Sequence, residues 1–156
     1  MKSKKAKYNK EQALSILQQM CSKKEYCPRD ISTKLRQWGV EGADDELIEI
    51  LKDDNFISEE RYCNAYVNDK VKFSKWGKNK IRYQLSGKGL QDKHIDLALE
   101  NVDREEYMEI MNKELEKKLH SIKEEDPFKR KEKLSRFAQQ RGYEWELVSE
   151  VMESLF

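Results

Sequence analysis

Proline and glycine are scarce in this chain, with two and six occurrences in 156 residues. A β-sandwich or barrel needs a turn about every ten residues, so this shortage of turn formers disfavours folds built from many short strands. Cysteine is scarce as well. Cys21, Cys27 and Cys63 form an odd set, and the step from Cys21 to Cys27 suits neither a zinc finger nor a redox C-x-x-C pair. Reduced thiols in a cytosol are the expected state. The two histidines, His94 and His120, have no cysteine or carboxylate at ligand spacing, so neither a metal nor a catalytic role is expected for them. No apolar run approaches the roughly 20 residues of a membrane span, and the opening MKSKKAK carries charge without the apolar segment of a leader. Glycine-rich phosphate loops and nucleophile elbows are likewise missing. The expectation is a soluble, cytoplasmic protein that is not an enzyme and takes no cofactor or metal.

What the chain does contain is charge, 39% of residues against 37% hydrophobic. That balance suits helices with one apolar face each, and an all-α fold follows. The formal net charge is only +1, yet the two signs are segregated. Residues 41–60 hold Glu41, Asp44, Asp45, Glu46, Glu49, Asp53, Asp54, Glu59 and Glu60 against the single cation Lys52. Between Val71 and Leu90 there is no acid at all. Such blocks allow one protein to meet surfaces of either sign, which net charge alone would hide. Adjacent carboxylates such as Asp44 and Asp45 belong to the acidic run and read as helix-start charges rather than as an acid-base pair.

A spaced pattern recurs three times: apolar, three residues, apolar or small, three residues, glycine, apolar. Its copies are Ile31, Leu35, Gly39, Val40; then Ile81, Leu85, Gly89, Leu90; then Leu134, Ala138, Gly142, Tyr143. An i, i+4 apolar pair ending in glycine predicts a helix closed by a left-handed residue. After each glycine come apolar residues at helical spacing, namely Leu47, Ile50, Leu51; Ile95, Ala98, Leu99; and Val148, Val151, Met152, with the first copy longer by two residues. Before each copy lies a further amphipathic stretch: Leu14 to Met20, Tyr62 to Val67, and Tyr107 to Leu119. Asn9, Ser58 and Asp103 are expected to open those stretches, and Pro28 fits the first turn of a second helix. The reading is a basic tail over 1–7 and three-helix repeats over 8–57, 58–102 and 103–156, stacked as an elongated array that is free to curve. Trp38 and Trp145, beside two of the glycines, are expected to pack at unit junctions.

The stretch KFSKWGKNKIRYQL, residues 72–85, shows how this bears on binding. If Ile81 and Leu85 face the core, the advance of about 100° per residue turns Tyr83 outward, with Lys80 and Arg82 flanking it. Trp76 falls near Tyr83 only if the helix begins before Gly77, and Lys78 lies at the core boundary. Cations beside an outward ring suit phosphates or carboxylates, although a solvated helix face has the same look.

The segment Phe56-Ile57-Ser58-Glu59-Glu60-Arg61-Tyr62-Cys63-Asn64-Ala65-Tyr66-Val67 resembles the central signature of the RecX regulators of the bacterial recombinase RecA. Lys78 to Leu85, closed by Gly87-Lys88-Gly89-Leu90, resembles that family's basic helix and its ending. The resemblance runs from about Tyr8 to Phe156 and is strongest in the second unit. Departures are Cys63 in place of a common alanine, Ser58 in place of an acid, and the two extra residues after Gly39.

The resemblance implies a noncatalytic modulator that binds the RecA filament on single-stranded DNA, bridges its protomers, and inhibits strand exchange, ATP hydrolysis and coprotease activity, with weak DNA binding in some members. Carried onto this sequence, it makes Lys75, Lys78, Lys80, Arg82, Tyr83 and Lys88 the expected contact surface for filament carboxylates or DNA phosphates, as a monomer. Arg61, Tyr66 and Trp76 are secondary candidates, and for Arg61 and Tyr66 an intra-unit ion pair and a core ring are equally expected. Two other readings stay open: a general nucleic-acid-binding protein of helix-turn-helix type, and a noncatalytic helical scaffold.

Overall fold

The computed structural model describes residues 5–156; residues 1–4 of the basic tail lie outside the described residues. Among the described residues there are nine helices and no strand: α1 (Lys10–Lys23), α2 (Pro28–Gln37), α3 (Asp44–Asp53), α4 (Glu59–Lys72), α5 (Lys78–Gly87), α6 (Asp92–Glu100), α7 (Arg104–Ser121), α8 (Pro127–Arg141) and α9 (Trp145–Leu155). Starts follow the local chemistry. The side chains of Asn9, Ser58 and Asp103 each accept a hydrogen bond from first-turn N–H groups, and Pro28 opens α2. The carboxylates Asp44, Asp45 and Glu46 fill the first turn of α3, where the helix dipole favours them.

The repeat glycines end α2, α5 and α8 in one shared way. Gly39, Gly89 and Gly142 have φ of +71°, +82° and +88°. In each copy the residue after glycine donates its N–H to the carbonyl five positions back: Val40 to Leu35 at 2.9 Å, Leu90 to Leu85 at 3.3 Å, Tyr143 to Ala138 at 3.1 Å. Both apolar residues of each pair are buried. This is the Schellman ending, and it places the last core residue of one helix against the first residue leading to the next.

The core has two parts. Ala13, Leu17, Ile31, Leu35, Leu47 and Leu51 close the first repeat, while one continuous cluster runs through the second and third, from Tyr62 and Ile81 to Leu134 and Met152. Cys27, on the α1–α2 loop, belongs to that second cluster and so ties the first repeat to it. Cys21 and Cys63 are also buried free thiols, and burial pushes Cys63 up to about 11, far from a nucleophile at neutral pH.

Neighbouring repeats meet through the ends of their second helices. At the C-terminus of α8, the carbonyls of Arg141 and Gly142 accept from the Gly77 and Asn79 N–H groups at 2.6 and 3.0 Å. Those groups open α5, which has no side-chain cap and no acid in its first turn. The C-terminal carbonyls of α8 therefore do the capping, and the two dipoles run head to tail. At the other end of α5, Arg29 of α2 donates to the Gly87 carbonyl, and Lys88 sits 3.7 Å from Asp30. The order α8, α5, α2 is thus joined end to end.

Three expectations are corrected here. Trp145 is 60% exposed rather than packed at a junction, because α9 turns Val148, Val151 and Met152 inward instead. Trp38 is half-buried, held edge-on by Tyr8 at a centroid distance of 5.3 Å. In α4 the buried seam is Tyr62, Cys63, Val67 and Val71, leaving Ala65 exposed.

Candidate functional site

Helix α5 begins at Lys78 with Gly77 as its N-cap, so Trp76 lies in the α4–α5 loop and not beside Tyr83. Ile81 and Leu85 are fully buried, and Tyr83 is 77% exposed, which leaves its ring facing solvent. Arg82 is exposed next to it and pairs with Asp96 of α6. These two residues form the outward face of the helix.

The other candidates sort into two groups. Lys80, Trp76, Tyr66 and Lys88 belong to a ladder of alternating cations and rings: the Lys80 Nζ lies 4.4 Å from the Trp76 centroid, Lys70 lies between Trp76 (4.9 Å) and Tyr66 (5.3 Å), and Tyr66 stacks on Tyr62 at 6.0 Å. Lys88 ends the ladder, 5.8 Å from the Tyr62 centroid. Each cation over a ring contributes about 0.5–1 kcal/mol at such exposed sites and keeps part of its ammonium available to an anion. Lys70 and Tyr62 were not among the expected site residues. The i, i+4 spacing of Tyr66 and Lys70 on α4 was the available signal.

Lys75, Lys78 and Arg61 also make contacts within the fold. Lys75 takes φ +60° in the turn after α4, its Nζ donates to the Lys72 carbonyl at 2.7 Å, and its own carbonyl accepts from the Tyr143 hydroxyl at 2.6 Å. The Lys78 N–H donates to the Tyr107 hydroxyl at 3.0 Å, and that hydroxyl donates in turn to Glu144. Burial and the Glu144 carboxylate keep Tyr107 protonated by raising it above the usual phenol range. The Lys78 ammonium rests 5.2 Å from the Tyr107 centroid.

An intra-unit ion pair was one of the two expectations for Arg61, but its carboxylate partner is Glu25 of the first repeat, at 3.0 Å. Its remaining N–H groups reach the Asn55 side chain and the Asn55 and Phe56 carbonyls at 2.9–3.3 Å. Helix α4 is thereby clamped to both flanking loops of the first repeat. The pair is partly exposed, so Arg61→Ala is expected to cost only about 1–2 kcal/mol. Arg61→Lys should recover little of it, because an ammonium cannot reproduce the fork. Urea unfolding midpoints of the two variants check both statements.

Among the described residues no group of three or more His, Cys, Asp and Glu side chains is placed to hold a metal ion. His94 contacts Glu59 at 3.4 Å between α6 and α4, while His120 is exposed. No helix of the described residues is long and apolar enough to cross a membrane. Alongside the ladder runs an open groove of about 630 Å³ between the first two repeats, bordered by Tyr26, Tyr62, Tyr66, Lys34, Lys70 and Lys88. The acids lining it, Glu25, Asp30 and Asp69, already contact Arg61, Lys88 and Lys70. Such a surface can hold anionic groups and flat rings.

Fold and surface together define an all-α protein of tandem three-helix repeats with a cationic, aromatic face on its middle unit. The family model for the second three-helix domain of RecX matches residues 58–99, and that for the third matches residues 105–152. Over 154 residues the chain is 33% identical to the regulatory protein RecX of Clostridium acetobutylicum, covering 96% of this chain and 69% of the relative. To that of Clostridium tetani it is 37% identical over 130 residues, 81% of this chain and 59% of the relative. The chain belongs to the RecX family of regulatory proteins. The crystal structure of RecX from Lactobacillus salivarius superposes with a TM-score of 0.79 at 20% identity, over 93% of this chain and 95% of that one, a likeness of fold.

Proposed function

We propose that this chain binds the filament that a RecA recombinase forms on single-stranded DNA, and that it restrains the filament's ATPase, strand-exchange and coprotease activities without catalysing a reaction itself. The observation that carries this reading is the outward face of α5. Tyr83 stands 77% exposed beside Arg82, one turn from the Lys80–Trp76 end of the ladder, on a helix whose burial rests on Ile81 and Leu85. A face that contributes little to folding yet combines cations with rings is suited to phosphates, carboxylates and bases. The acidic helix α3 supplies the opposite charge for basic patches of a partner. Membership of the RecX family supports a recombinase filament as the partner that such a surface would meet.

The chain would act by differential binding, because a ligand that prefers one filament state shifts the filament toward it by mass action. Titration of the purified protein into RecA on single-stranded DNA, followed by ATP hydrolysis at moderate salt, tests the reading. Inhibition is expected at stoichiometry near or below the recombinase, and none at a large excess would sink it. Naked single-stranded DNA in a parallel binding assay separates the general nucleic-acid reading, which requires equal affinity for DNA and filament. The near-neutral charge and the acidic run beside the basic one weigh against that alternative.

A further inference from the structure

The third repeat carries a surface that the proposed function does not use. Helices α8 and α9, joined through the tight turn at Gly142, enclose an open groove of about 790 Å³ lined by Phe128, Trp145, Met152 and Phe156. Phe128 is 69%, Trp145 60% and Phe156 43% exposed, three of the six large hydrophobic side chains exposed among the described residues. Isolated exposed rings are ordinary, but three in one groove mark a contact surface.

The charges on its two walls say what fits there. On the α8 wall the groove is lined by the cations Lys131 and Arg136 and the acid Glu132, while Arg130, Lys133 and Arg141 of the same helix turn to Leu119, Glu124 and Glu114. On the α9 wall the lining acid is Glu153, with Glu146 two turns earlier on the same side of the helix, and α9 has no cation. Among the described residues Lys131 and Arg136 have no carboxylate within ion-pair distance, and neither Glu146 nor Glu153 has a cation there. A groove whose α8 wall is net cationic and whose α9 wall is anionic is complementary to itself. A two-fold axis running along the groove lays α8 of each copy on α9 of the other, so cations meet acids twice while the rings meet at the centre. An axis across the groove would set α8 on α8 and is disfavoured by like charge.

We infer that this groove is an isologous interface through which two copies of the chain pair, third repeat to third repeat. The contact rests on two short helices and a few rings, so the dimer is reversible. The monomer expected from sequence is then the dilute end of an equilibrium. Repeat α4–α6, with its cationic and aromatic face, lies outside the contact in both copies.

Sedimentation velocity of the full chain from about 1 to 300 µM tests this, with circular dichroism confirming that each variant is folded. The wild type is expected to shift from monomer to dimer with concentration, and Trp145→Ser to stay monomeric throughout. The Lys131→Glu/Arg136→Glu variant and the Glu146→Lys/Glu153→Lys variant should each weaken self-association at least tenfold. An equimolar mixture of the two should recover it, because in the mixed pair the two altered walls face each other with opposite signs and the two unaltered walls do the same. A wild type that remains monomeric at the highest concentration, or a mixture no more associated than either variant alone, overturns the proposal.

Discussion

Gly142→Ala is expected to lower the stability of this protein by about 2–5 kcal/mol, a large share of what a domain of this size possesses. Two separate effects add. At φ +88° an alanine is strained whatever surrounds it, and a Cβ built there would fall 2.3 Å from the Lys80 Cβ and 2.5 Å from the Lys80 nitrogen. Neither neighbour is the loose end of a side chain; one is the backbone of α5's first turn. Relief would require α8 and α5 to move apart, breaking the bonds from Gly77 and Asn79 that cap α5.

Gly77→Ala isolates the second effect. Gly77 has an ordinary φ of −82°, yet its Cβ would sit 2.3 Å from the Gly142 carbonyl carbon and oxygen. About 1–3 kcal/mol is expected, all of it from crowding. Gly89→Ala isolates the first effect, since at φ +82° its Cβ meets only the flexible Arg29 guanidinium, and about 1–2 kcal/mol is expected. Because Gly77 and Gly142 crowd the same contact, the double variant should cost clearly less than the sum of the two singles. Urea unfolding followed by circular dichroism checks the ranking Gly142 over Gly77 and Gly89. If the α5–α8 junction opens before the rest, the Gly142→Ala transition will also broaden. Equal losses at Gly89 and Gly142 would show that crowding at the junction contributes nothing.

The comparison of glycines also shows which features could be read from the chain. The left-handed endings at Gly39, Gly89 and Gly142 have a local signature, an i, i+4 apolar pair, glycine and an apolar residue, so the repeat and the outward turn of Tyr83 were legible without coordinates. N-caps at Asn9, Ser58 and Asp103 were legible for the same reason. What periodicity does not contain is the meeting of Gly77 with Gly142, or of Arg61 with Glu25, since these contacts depend on how repeats stack. The binding candidates divide along the same line. Arg82 and Tyr83 project from α5 as the helical wheel requires, whereas the Lys75 ammonium turns back to the Lys72 carbonyl, and Lys78 and Lys88 meet a ring and an aspartate contributed from elsewhere in the fold. Trp38 lies one residue before its glycine and Trp145 three after, so nearness to a glycine did not fix their packing: Trp38 is covered by Tyr8 of its own repeat, whereas Trp145 faces solvent.

Replacing Lys80, Arg82 and Tyr83 together by alanine is expected to raise the concentration for half-inhibition of the RecA filament roughly a hundredfold while the chain stays folded. The structural cost is small on every count. Tyr83 buries little, the Arg82–Asp96 pair is about half exposed on both sides and contributes under about 1 kcal/mol, and the Lys80–Trp76 contact contributes about 0.5–1 kcal/mol. A ring that stacks on bases contributes about 1–3 kcal/mol to binding, and each cation adds a salt-dependent increment. The parts are separable. Tyr83→Ala alone should weaken inhibition without changing its salt dependence, whereas Lys80→Ala/Arg82→Ala should flatten that dependence by about two counterions if phosphates are the ligands. Asp96→Asn provides the opposite sign, because it leaves Arg82 without the carboxylate that holds it to α6. If Arg82 meets the filament, that variant should inhibit at lower concentration than the wild type. If Arg82 serves only the fold, the same variant will lose a little stability and inhibit no better.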